Sequence, residues 1–278
     1  MIHILTDSTS DIPKEIAEQM NIEVLPLRVS FGEAEYLDRV DISSQEFYKK
    51  MAETKELPVT SQIAPDTFLN RFRDLVASED ELIYIAIGSK FSGTYQSATI
   101  AKDELGLKNV YLVDSKQVTI GIAILIKYAV DLRDAGKTAQ EIVTALEKKK
   151  EKIVLFAVLD NLTNLYKGGR LTKSKAIMGT VLGIKPILKV KNCEIIPFDT
   201  KRGFQKSMET AVGHIKDTGF DTRLPMALAH ANSPQLLDNF KDILPEDILK
   251  NSFLEVSLGP VIATHAGANA VAAAFFEK

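Results

Sequence analysis

Three short apolar runs in the first half of the chain end in small polar residues and then give way to a helical pattern, and this repeated order limits the fold more than any other feature. Ile2-His3-Ile4-Leu5 runs into Thr6-Asp7-Ser8-Thr9-Ser10-Asp11 and then Ile12-Pro13. A helix is expected from there to about Met20, because Pro just after Ser or Asp suits a first helical position. Glu81 to Ile87 repeats the scheme, followed by Gly88-Ser89-Lys90-Phe91-Ser92-Gly93-Thr94 and a helix from about Tyr95. Val110 to Val113 repeats it again and stops at Asp114-Ser115. Short apolar strands alternating with helices predict a parallel sheet with helices on both faces, a three-layer α/β arrangement.

The second half reads differently. Ile153 to Leu159 has the character of a strand, Asn161 to Lys167 of a short helix ending at Gly168-Gly169, and Lys173 to Leu182 of a further helix. Lys185 to Val190 and Glu194 to Phe198 flank Lys191-Asn192-Cys193, which predicts a hairpin rather than a crossover. A helix from about Phe204 to Lys216, a strand Met226 to Ala231, a helix Pro234 to Ile243 and a strand Phe253 to Ser257 follow. The reading is an N-terminal parallel-sheet domain over 1–152 and a C-terminal mixed-sheet α/β domain over 153–278.

A formal net charge of −3 over 278 residues leaves no electrostatic footprint for nucleic acid. The dense basic stretch Lys148-Lys149-Lys150-Glu151-Lys152 follows the helical pattern Ala139 to Leu146, where cations suit the negative helix end. With Cys193 the sole cysteine, no intrachain disulfide forms, which fits a reducing compartment. Met1-Ile2-His3-Ile4-Leu5-Thr6-Asp7 lacks the basic and long apolar regions of a signal peptide. Apolar runs stop well short of the roughly 18 residues a transmembrane helix needs. The expected location is cytoplasmic.

In open α/β sheets ligands bind beyond the carboxyl ends of the strands, where helix starts favour anions. The loops Thr6 to Asp11, Gly88 to Thr94 and Asp114-Ser115 are expected to gather on one edge, with hydroxyls from Ser8, Thr9, Ser92, Thr94 and Ser115 and a nearby cation in Lys90. Such a set suits a single carboxylate or a neutral polar head better than a triphosphate. Taken singly, each of these residues also reads as a helix cap, and Pro58-Val59-Thr60-Ser61-Gln62 reads as a capped loop between two helices. His265 lies among small residues in Gly259-Pro260-Val261-Ile262-Ala263-Thr264-His265-Ala266-Gly267, which lets a ligand approach closely. Gly168-Gly169-Arg170-Leu171-Thr172-Lys173-Ser174 lacks the Gly-Lys-Ser/Thr ending of a phosphate loop. Ser92 stands outside a Gly-x-Ser-x-Gly elbow, and no histidine or cysteine pair has metal-ligand spacing.

Six stretches in order along nearly the whole chain resemble the DegV family. They are Thr6 to Asp11, Thr60-Ser61-Gln62, Phe91 to Ala98, Val113-Asp114-Ser115, Gly168-Gly169-Arg170-Leu171 and Gly259-Pro260-Val261-Ile262. The resemblance implies two α/β domains with a long-chain fatty acid enclosed between them and no cofactor. It implies that Thr60 and Ser92 hold the carboxylate with His265 in the same network, in a site that also takes in Ser61, Gly93 and Thr94. It further implies presentation of the bound acid to a fatty acid kinase for acyl-phosphate formation, ahead of phospholipid synthesis, with Arg170 and Arg202 in exposed loops facing that partner. Such a chain is a carrier and not catalytic alone. Ile63 departs from a frequent proline and Ala268-Asn269 from a common Pro-Gly pair; neither removes a head-group contact.

The residues agree with that reading. Burying roughly 15 methylenes at about 0.8 kcal/mol each gives on the order of 12 kcal/mol gross, so the tail can dominate affinity while hydroxyls set orientation. Ile177, Met178, Val181, Leu182, Ile184, Ile187 and Leu188 are the expected tunnel walls, with core packing as the alternative for each. Two other functions compete. A serine-dependent acyl hydrolase would use Ser92 as nucleophile and His265 as base, with Asp7 or Asp114 as orienting group. A nucleic-acid-binding regulator is disfavoured by the acidic charge and the lack of a helix-turn-helix signal.

Overall fold

The computed structural model describes residues 1–54, 56–76, 80–171 and 183–278. In the first half, β1 (Ile2–Asp7), β2 (Glu23–Leu25), β6 (Glu81–Ala86) and β7 (Val110–Asp114) form a parallel sheet in the order β2-β1-β6-β7. Its helices are α1 (Lys14–Gln19), α3 (Pro65–Val76), α4 (Thr94–Leu105), α5 (Ile120–Asp134) and α6 (Ala139–Lys149). Neighbouring side chains on β1 and β6 point to opposite faces. Leu5, Leu82 and Tyr84 pack with Phe68 and Phe72 of α3 and Ala98 of α4, whereas Ile4, Ile83 and Ile85 join the core that contains α5 and α6. Burial on both faces is why these strands read as continuous apolar runs.

A second, small sheet interrupts this scheme. β3 (Arg28–Phe31), β4 (Ala34–Leu37) and β5 (Val59–Ser61) pair antiparallel in the order β4-β3-β5, with α2 (Ser44–Glu53) and its Ser43/Glu46 capping box between β4 and β5 in sequence. The sequence expectation of a plain loop at Pro58 to Gln62 is corrected: Val59–Ser61 is a strand, and Thr60 stands opposite Val29. Three residues are too few to show an alternating pattern, so the pairing partner decides the conformation.

The second half is the expected mixed sheet. β8 (Ile153–Leu159), β9 (Ile184–Lys191), β10 (Glu194–Arg202), β11 (Met226–His230), β12 (Ser252–Ser257) and β13 (Ala270–Phe276) run in the order β10-β9-β8-β13-β11-β12. All neighbours are antiparallel except β11 and β12. The associated helices are α7 (Thr163–Lys167), α8 (Phe204–Thr218), α9 (Pro234–Lys241), α10 (Glu246–Asn251) and α11 (Pro260–Ala266). The predicted hairpin is β9–β10; Asn192 and Cys193 at its tip take φ of 54° and 60°, the two-residue turn that matches strand twist. β13, not foreseen, lies between β8 and β11. The helix expected at Lys173 to Leu182 falls outside the described residues.

Helix α5 joins the two sheets. It packs on β1 and β6 from one side and on β8, β11 and β13 from the other, with every residue from Ile120 to Ile126 buried. Beside its start lies a polar cluster of buried Asp11 and Asp38 with half-buried Arg39, into which Gly259 fits without room for a side chain: a Cβ there would stand 2.6 Å from Arg39 Nε and 2.9 Å from Asp11 Oδ1. Gly259→Ala is therefore expected to cost about 1–3 kcal/mol through overpacking. Gly213→Ala in α8, where a Cβ meets nothing within 4 Å, is expected to gain up to about 1 kcal/mol from helix propensity. Urea denaturation of both variants checks the pair; equal midpoints would show that the Gly259 contact yields freely.

Candidate functional site

A cavity of about 350 Å³ lies between the sheets, within the size range of small-molecule sites. Apart from Thr119 at the start of α5, its polar residues come from four segments. β5 supplies Thr60 and Ser61, with Gln62 just beyond; the turn before α4 supplies Ser92 and Gly93; the turn after α7 supplies Arg170; α11 supplies His265.

The hydrogen bonds among them are specific. Thr60 Oγ1 and His265 Nε2 are 3.0 Å apart, and Ser92 Oγ and Thr94 Oγ1 are 2.9 Å apart. Thr94 is wholly buried behind the wall, where its hydroxyl also accepts from the Ile63 N–H. It supports Ser92 rather than lining the cavity. Gly93 is forced by geometry, since a Cβ there would run into the Gln62 side chain, whose amide donates to Ser97 Oγ at 2.9 Å. Gly168 presses in the same way against His265.

His265 Nδ1 is buried with no hydrogen-bond partner among the described residues. Burial, with the Arg170 charge added, pushes the imidazole down to about 4, so it is neutral near pH 7. A buried lone pair without a partner costs less than a buried N–H without one. That favours the tautomer in which Nε2–H donates to Thr60 Oγ1, which leaves the Thr60 hydroxyl proton for a ligand in the cavity.

Arg170 is a correction to the sequence reading. It lies part-buried on the cavity wall, where Nε donates to Phe91 O at 3.1 Å and Nη1 to Gly168 O at 2.6 Å, not in an exposed loop. Arg202 is exposed at the end of β10 and does not line the cavity. Lys90, the cation expected near the site, pairs instead with Glu194 at 3.1 Å on the surface. The three loops do meet, yet most of their polar atoms fasten one loop to the next. Asp7 accepts from Ile87 N and the Tyr84 hydroxyl at 3.0 and 2.9 Å, and Asp114 accepts from Ser89. Ser92 bonds Thr94 while His265 bonds Thr60, and among the described residues no hydrogen bond joins Ser92 to His265.

The apolar wall was largely missed. Leu188 lines the cavity, but Ile187 points to the opposite face of β9 into the second core, and half-buried Ile184 lies off the wall; Ile177, Met178, Val181 and Leu182 fall outside the described residues. The floor is a row across four strands, Ala229–Ala272–Ala157–Leu188. Small residues in buried strand positions, where branched ones are usual, are the signal that marks such a hollow. Phe91, Leu165, Val261 and Ile262 close over it. Among the described residues no group of His, Cys, Asp or Glu could hold a metal ion, and no helix is long and apolar enough to cross a membrane.

Fold and cavity together define a two-sheet α/β protein enclosing a mostly apolar chamber with polar groups at one end. A family model described as "Uncharacterised protein, DegV family" matches residues 1–278. A DegV domain-containing protein of Caldanaerobacter subterraneus subsp. tengcongensis is 36% identical over 278 residues, covering 100% of this chain and 99% of the relative. A DegV domain-containing protein of Clostridium acetobutylicum is 37% identical over 277 residues, with 100% and 99% covered. This chain belongs to the DegV family. It is also similar in structure to DegV of Bacillus subtilis, described as a fatty-acid-binding protein, with a TM-score of 0.86, 30% identity and 100% and 99% of the two chains covered. A stearic-acid-binding protein from Eubacterium ventriosum has a TM-score of 0.88, 26% identity and the same coverage.

The neutral His265 gives a pH prediction. Between its ordinary value of 6.5 and about 4, the unfolded chain takes up a proton that the folded chain refuses, so stability falls as pH drops through that window. His265→Gln removes this contribution. Between pH 7 and pH 5 the urea midpoint of the wild type is expected to fall further than that of the variant; parallel curves would show a solvated imidazole.

Proposed function

We propose that this chain binds a long-chain fatty acid, its tail in the chamber and its carboxylate at Thr60, Ser92 and His265. One observation supports this above the rest: the hydroxyls of Thr60 and Ser92, the imidazole and the Arg170 guanidinium lie together on the wall of a cavity lined otherwise mostly by aliphatic and aromatic residues. A buried carboxylate needs donors or a counter-charge; Thr60 and Ser92 supply donors, and Arg170 supplies positive potential. The Bacillus subtilis and Eubacterium ventriosum neighbours, described as binding fatty acid and stearic acid, support the same ligand class.

Purified protein is then expected to retain roughly one fatty acid per chain, because an empty apolar chamber favours an apolar guest. Denaturing extraction and mass spectrometry read this directly. Thr60→Ala combined with Ser92→Ala removes two donors at about 1–3 kcal/mol each, weakening binding with the fold intact. Lipid-free protein that also refuses oleate and palmitate would falsify the reading, and unchanged affinity in the double variant would move the carboxylate elsewhere.

A finer proposal concerns the fate of the bound acid. Exposed Ser61 and Gln62 rim the polar end, so the carboxyl group sits near the surface, where a fatty acid kinase could phosphorylate it. In this role the chain is a cytoplasmic carrier that presents substrate, and the acyl phosphate passes on to phospholipid synthesis. A guanidinium forks onto phosphate and spreads developing charge. Arg202→Ala is expected to leave lipid affinity unchanged while slowing acyl-phosphate formation with the cognate kinase. Arg170→Ala is expected to weaken lipid binding as well. Wild-type phosphorylation rates in Arg202→Ala would make that arginine an ordinary surface charge.

A further inference from the structure

A single buried polar cluster fastens three separate wall segments of the chamber from behind. Asp11 accepts from the Thr119 hydroxyl at 2.6 Å, from the Gly259 N–H at 2.7 Å and from Arg39 Nη2 at 3.0 Å. Thr119 begins α5 and lines the cavity; Gly259 separates wall residue Leu258 from Val261 of α11. Arg39 reaches on to Ser257 O at 2.7 Å. Beside it, Asp38 accepts from the Ser8 hydroxyl at 2.8 Å, and Ser8 Oγ accepts from the N–H of Leu27 at 3.0 Å, a third wall residue. The links reach elements from both halves of the chain.

The backbone at this place is unusual. Asp11, Arg39 and Thr119 all have positive φ, at 57°, 61° and 46°, and Thr119 is β-branched, for which that region is costly. Residues keep such conformations where their surroundings over-determine them, as at ligand clamps and switches. An ion pair such as Asp11–Arg39, with the carboxylate buried and the guanidinium half-buried, adds little net stability, because desolvation cancels much of its attraction. Its effect is a fixed geometry, and the geometry it fixes is that of the chamber wall.

We infer that the Asp11–Arg39 knot is a positioning device for the tail chamber. It holds Thr119, Leu258 to Val261 and Leu27 at the spacing that grips an acyl chain along its length; of the head-group residues His265 shares α11 with Val261, while the Thr60 and Ser92 hydroxyls bond other groups. This inference rests on the fatty-acid reading above. Arg39 and Asp11 touch no ligand; they act through the wall. Loosening the knot therefore changes what each added methylene contributes to binding, whereas losing a head-group donor changes every fatty acid by the same factor.

The test is the dependence of affinity on chain length, measured calorimetrically on delipidated protein with saturated acids of about 8 to 14 carbons below their micellar concentrations. In the wild type affinity is expected to rise about fourfold per methylene, the equivalent of about 0.8 kcal/mol. In Arg39→Met and Thr119→Val the rise is expected to flatten to about twofold or less, so the deficit widens with chain length. Arg39→Lys keeps a charge and Thr119→Ser a hydroxyl, and both restore most of the slope. Thr60→Ala, as the head-group control, shifts all lengths equally. Wild-type slopes in Arg39→Met and Thr119→Val overturn the knot as a positioning device. Should Arg39→Met not fold, Thr119→Val, which removes one hydroxyl, decides alone; a Thr119→Val protein that also fails to fold while Thr119→Ser folds makes the knot purely structural and overturns the inference. A wild type that binds none of these acids overturns instead the fatty-acid reading, a result separable from the others because no variant is needed to see it.

Discussion

Burial of the first half of α5 on all sides is the constraint from which the rest of the structure follows. A helix that is apolar around its circumference must lie inside, and the stretch from Ile120 to Ile126 leaves no face for water. Two sheets close on it because one sheet can cover only one side. The chamber opens where the helix begins, beyond the carboxyl ends of β1 and β6, where wall residues Thr119 and Ile87 meet the alanine floor of the second sheet. The hollow is thus a place where two well-packed layers fail to meet, kept open by small side chains.

The sequence makes visible the parts of this fold that carry a local signal. The strands ending in polar loops stand out because burial on both faces gives them unbroken apolar runs, and the β9–β10 hairpin because Asn192 lies between two such runs. The first half of α5 has no such signature: from Ile120 to Ile126 its apolar residues show no period, since no side there faces solvent. β13 is hidden for the opposite reason. Ala270-Val271-Ala272-Ala273-Ala274 has the composition of a helix, and only pairing with β8 and β11 makes it a strand. At the site, Thr60, Ser92 and His265 are ambiguous one by one, since each also suits a cap or a core contact. Family resemblance, not side-chain chemistry, distinguishes them. Ser8 and Asp7 show the bland alternative realised, fastening loop to loop, and Arg170 shows how a residue after two glycines can still turn inward.

Charge within the chamber follows a simple pattern. Lys90 is drawn off to Glu194, Asp7 and Asp114 are saturated by neighbouring donors, and His265 is neutral. What remains at the polar end is the hydroxyls of Thr60, Ser61 and Ser92 and the Gln62 amide, with one guanidinium already bonded to two backbone carbonyls. Such a setting tolerates a single negative charge and offers little to a polyanion.

The separation in sequence between parts that touch has a kinetic meaning. Thr60 and His265 are 205 positions apart, and β13 enters the middle of its sheet, beside β8, which begins at Ile153. Contacts of such long range form slowly, because the intervening chain must be ordered first. No partly folded intermediate that lacks β13 or α11 can hold the chamber closed. A bound guest would therefore meet only the finished architecture, and by mass action its capture would draw the late, slow steps of folding toward completion.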